Sequence, residues 1–64
     1  METLKKTLLE GIKEMIGLCE QCQKMVEDGK IDYDLTDILS DELPNKSENL
    51  YREILKATRP ELVP

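Results

Sequence analysis

Glu27-Asp28-Gly29-Lys30-Ile31-Asp32-Tyr33-Asp34-Leu35 divides this 64-residue chain into two helical halves. Everything before Gly29, from residue 3 onward, lacks proline and carries apolar residues at helical intervals. Gly29 sits where a helix takes a left-handed C-terminal residue, and Ile31 is placed to fold back over the last turn. Asp32 or Asp34 is placed to cap a following helix, since a short side-chain oxygen accepts from free amides. The stretch therefore reads as a glycine stop followed by an aspartate start.

The same words resemble the calcium loop of an EF-hand over about six residues, Asp28-Gly29-Lys30-Ile31-Asp32-Tyr33. With Gly29 at the invariant glycine of that loop, the remaining ligand positions fail. Lys24 falls on the first ligand position, Val26 on the third and Leu35 on the last, where the family needs carboxylates and a bidentate Glu. The related dockerin-type loop fails likewise, because Asp34 and Asp37 straddle its closing position. No metal or cofactor is expected.

Upstream, Leu4, Leu8, Leu9, Ile12, Met15, Ile16, Leu18, Cys19, Cys22, Met25 and Val26 fill a sector of roughly 200° at about 100° per residue. Within it, Ile12, Met15, Cys19, Cys22 and Val26 follow three-four spacing, the seam of a helix on a near-parallel neighbour. Gly11 lies inside the sector, where it permits a close helix approach. Downstream, Leu35, Ile38, Leu39 and Leu43 give a short helical face that Pro44 is expected to end. Asn45, with Glu48 three residues on, or else Ser47, is expected to cap a third helix. Leu50, Tyr51, Ile54, Leu55 and Thr58 carry its period, and Pro60 is expected to close it. The boundaries read from the pattern are about 3–28, about 34–43 and about 46–58, with a tail at 60–64, all in one small domain. The fold class is all-α: a long N-terminal helix packed antiparallel on two shorter ones.

So short a chain buries only about 60% of its unfolded surface. It has no Trp, Phe or His, so its core is aliphatic, and the commonest general base and metal ligand is missing. Without His or a third Cys, Cys19-Glu20-Gln21-Cys22 is half a zinc site at most, and it lacks the strand-to-helix setting of a redox motif. Both thiols are expected in the core, as a reducing compartment allows. A metal-linked dimer through Cys19 and Cys22 is the competing possibility. No glycine-rich phosphate loop or Ser-His pair is present, and an enzyme is not expected.

The formal charge is −5, concentrated in the middle: residues 27–44 hold seven acids against Lys30 alone. Asp32, Asp34, Asp37, Asp41 and Glu42 form an acidic patch that repels nucleic acid and anionic membrane, and Tyr33 within it is either a contact aromatic or a residue that closes the end of the core. It suits a larger protein with a basic surface. No secretory or membrane-spanning pattern is legible, and the cytoplasm is the expected location. The wide apolar sector exceeds what two short helices cover, so Leu8, Ile12, Met15, Cys19, Cys22 and Val26 are expected at a dimer or partner interface. The function expected is a small acidic regulator or adaptor that homodimerises. The alternative is an acidic mimic of nucleic acid that occupies a basic DNA- or RNA-binding surface.

Overall fold

A computed structural model of the chain describes residues 2–59 and Glu61. The described chain is helical apart from one bend, and its two arms pack antiparallel. The first arm is one helix, α1 (Glu2–Glu27). The second runs α2 (Tyr33–Asp37), a π-helical turn (Ile38–Glu42) and α3 (Leu43–Thr58) without interruption.

Local chemistry explains the bend. Gly29 takes φ +78, in the left-handed region. Its N–H donates to the Val26 carbonyl at 3.0 Å, and the Lys30 N–H reaches back to the Met25 carbonyl at 2.8 Å. Together these bonds form a Schellman stop, which satisfies the carbonyls that α1 leaves open. Asp32 then caps α2, its Oδ1 accepting from the Leu35 N–H at 3.3 Å. Its backbone carbonyl accepts from the Thr36 N–H. Ile31 does not fold back over the last turn and stays 75% exposed: the Schellman bonds put Lys30, not Ile31, at the position that packs back on the helix.

Pro44 does not end the second arm, and this overturns the expected break into two short helices. The Leu43 N–H bonds the Ile38 carbonyl, five residues back. Such a widened turn makes room for the proline ring, which would clash with the carbonyl four residues earlier in a regular helix. The acceptors that Pro44 cannot serve lie on Leu39 and Ser40, both exposed residues. Asn45 is accordingly no cap. It lies inside α3 and its Nδ2 donates to Asp41 Oδ1 at 2.8 Å. The expected stop at Pro60 and the tail at 60–64 fall outside the described residues, except for Glu61. The last helical bond within reach runs from the Arg59 N–H to the Leu55 carbonyl.

The core sits beside the bend. Cys22, Leu35 and Ile38 are its buried members, with Leu18, Met25 and Leu43 packed against them. The π turn places Leu43 there. Five residues along a regular helix, it would point about 140° away from Ile38. Farther along, Gly11 lets α1 and α3 close up: a Cβ at this position would stand 2.5 Å from Leu50 Cδ2. On the polar side Lys46 Nζ meets Glu14 Oε2 at 2.6 Å, an exposed pair of small energetic weight. The chain measures 44 × 24 × 10 Å, a slab one helix layer thick.

Candidate functional site

A one-layer slab has two broad faces, and here they differ in chemistry. With α3 held against the Gly11 side of α1, the flank about 100° away along the helix surface points out of the slab. That flank carries Leu9, Ile12 and Ile16, which are 47%, 45% and 52% exposed, followed by exposed Cys19 and half-exposed Val26. From α3, exposed Tyr51 and Ile54 join it. Leu8, Ile12 and Met15 of α1 line a shallow groove with Leu50, Tyr51 and Ile54 of α3. The opposite flank of α1 presents Glu10, Glu14, Gly17 and Gln21, all exposed. The molecule thus has one apolar broad face and one polar broad face.

The residues expected at an interface divide across this boundary. Ile12, Cys19 and Val26 stand on the open face. Leu8 and Met15 are half-buried at its edge, beside α3. Cys22 belongs to the core of its own chain, 7% exposed against Leu35 and Ile38, so it cannot meet a second molecule without leaving that core. Cys19 is exposed, against the expectation that both thiols would be buried. Three residues along the helix turn the two side chains about 60° apart, which is enough to separate core from surface. A shared four-thiolate site in a dimer would therefore require the core to open. Leu9 and Ile16 also stand on this open face, outside the seam read from the sequence, which runs through Met15 and Cys22. The signal was present: Leu9, Ile12, Ile16, Cys19, Gln23 and Val26 keep an alternating three-four interval of their own.

The acidic patch lies at the bend end. Asp34, Asp37, Asp41 and Glu42 are exposed along the second arm, and Asp32 is exposed at its cap. The ion pairs among the described residues join Lys46 to Glu14, Arg52 to Glu48 and Lys56 to Glu53, so none neutralises the patch. Tyr33 does not close the end of the core. It stands 88% exposed, beside exposed Ile31, amid the carboxylates.

Among the described residues no three His, Cys, Asp or Glu side chains gather as a metal site would need. No helix among them is long and apolar enough to cross a membrane. The grooves lined by Leu8, Ile12 and Tyr51, by Leu4 and Leu9, and by Ile31 and Tyr33 are shallow and open to solvent. No family model, curated protein or solved structure matches the chain at a significant level.

Proposed function

We propose that the protein is a non-enzymatic protein-interaction module, a small acidic regulator or adaptor. Its apolar face is covered by a second copy, and its acidic end is presented to a larger protein with a basic surface. The observation that carries this reading is the open apolar face on a slab only 10 Å thick. Stable domains stack at least two layers of secondary structure around a core, and one layer of two helical arms leaves its broad face in water. Contiguous apolar surface of this kind marks association sites. The exposed carboxylates, with Tyr33 among them, supply charge and one aromatic anchor for a basic partner.

The test is sedimentation of the purified chain and of Ile12→Glu at low and at about 1 M salt, where surface charges are screened. An assembly held by apolar contacts survives high salt and is lost in the variant. Assembly that vanishes with salt and ignores Ile12→Glu would remove the basis of the reading.

The acidic patch also favours a second reading, a nucleic-acid mimic, because its carboxylates form no ion pair among the described residues. Such a mimic loses its hold on a basic DNA-binding protein steeply as salt rises, and competes there with DNA. An adaptor held by apolar contacts does neither.

A further inference from the structure

We propose that the second copy lies antiparallel along α1, in one register, with Ile16 of each chain facing the partner's Cys19. The inference rests on the dimeric reading above and adds the pairing itself.

Leu9, Ile12, Ile16, Cys19, Gln23 and Val26 follow a heptad pattern along the open flank, and five of these six are apolar. The intervals read the same in both directions. A helix laid antiparallel therefore sets each seam residue against a seam residue: Leu9 against the partner's Val26, Ile12 against the partner's Gln23, Ile16 against the partner's Cys19. The residues bordering the seam on its two sides have opposite fates. On one side Leu8 and Met15 are half-buried and Cys22 is buried, turned toward their own second arm. On the other stand Lys6, Lys13, Glu20 and Glu27, one heptad apart and all exposed. None of the four takes part in an ion pair or side-chain hydrogen bond among the described residues.

The order of those charges, two bases followed by two acids, selects the orientation. In an antiparallel pair this flank meets its own counterpart. In this register Lys13 comes beside the partner's Glu20, and Lys6 beside the partner's Glu27. Two-fold symmetry repeats both contacts. A parallel pair would instead set these charges against the Leu8, Met15 and Cys22 side, which its own chain already occupies.

The surface area agrees with an occupant of this size. A compact monomer of 7.4 kDa exposes about 4,200 Å² by the usual scaling. This chain exposes 5233 Å². The surplus of about 1,000 Å² belongs to the elongated chain as a whole, and a standard interface draws on roughly 800 Å² of each partner's surface. A second copy fits better than an unrelated helix, because the charges that border the seam complement their own reverse.

The test uses two full-length chains, the wild type and a double variant, Ile16→Cys with Cys19→Ser, oxidised separately and as a mixture. The antiparallel register places the variant's new thiol against the partner's Cys19, so disulfide-linked dimers form in the mixture and exceed those in either chain alone. Crosslinks in each chain alone, with no more in the mixture than in either, would show a parallel pair; dimers by light scattering without crosslinks in any sample would show another face. Either result overturns this pairing and leaves the dimeric reading standing, whereas a monomer at every concentration removes both. A second readout is charge exchange. Glu20→Lys with Glu27→Lys weakens self-association about tenfold or more. Mixing with a Lys6→Glu, Lys13→Glu chain restores it, and no recovery on mixing would contradict the register. All these positions are exposed, so circular dichroism confirms that each variant folds before it is mixed.

Discussion

Gly29 does a job that no L-residue does well. At φ +78, any side chain with a Cβ is strained, by about 1–2 kcal/mol in the left-handed region. Gly29→Ala is therefore expected to destabilise the chain by that amount in urea denaturation. Gly17 is the internal control. It lies in mid-helix, and a Cβ added there would meet nothing within 4 Å, so Gly17→Ala is expected to stabilise by about 0.5–1 kcal/mol through helix propensity alone. Opposite signs for the two substitutions check the account, and equal signs contradict it. Asp32→Ala removes the cap on Leu35 and is expected to cost about 1 kcal/mol in the same assay. Gly11 tests close packing. Gly11→Ala gains propensity but drives a methyl into Leu50, so it is expected to destabilise, with part of the loss recovered when Leu50→Ala is added. Additive effects in that double-mutant cycle would deny the contact.

The elements show which parts of the fold the sequence made legible. The stop at Gly29 and the cap at Asp32 could be read because both are local: a few neighbouring residues settle them, whatever the rest of the chain does. The continuity through Pro44 could not. A search at 3.6-residue period has no place for the five-residue step from Ile38 to Leu43, so a proline after Leu43 looked like an end. The same step explains why Leu39, assigned to the apolar face, stands 52% exposed while Leu43 joins the core. Deleting exposed Ser40 tests this directly when combined with Pro44→Ala. Ile38 and Leu43 then stand four apart, on one face of a regular helix. The variant is expected to fold with unchanged helix content and a denaturation midpoint no lower than that of the wild type. A large loss of stability would mean that the π turn does more than align these two residues. The open face was half legible. Sequence periodicity showed an apolar sector too wide for one neighbour, but which edge of it the second arm covers depends on where Leu50 seats over Gly11, a contact 39 residues distant. Leu9 and Ile16 consequently stay in the apolar sector without an interface role, and Cys22, expected both in the core and at an interface, lies in the core.

The whole molecule is long and thin for its mass. Its radius of gyration is 14.5 Å, against about 11 Å for a compact domain of this length. Only Cys22, Leu35 and Ile38 are buried among the described hydrophobic residues, and none is fully shielded. Leu35→Ala, which hollows that small core, is expected to cost about 2–5 kcal/mol, enough to unfold an isolated protomer. Stability in this account is shared between a small core at the bend and a second molecule on the broad face. Denaturation midpoints are therefore expected to rise with protein concentration. The most direct measurement is the mass in solution by light scattering over a wide range of concentration. The account predicts twice 7.4 kDa at high concentration, falling toward a less helical protomer on dilution. A chain that stays at 7.4 kDa throughout, with its helix content intact, would contradict it.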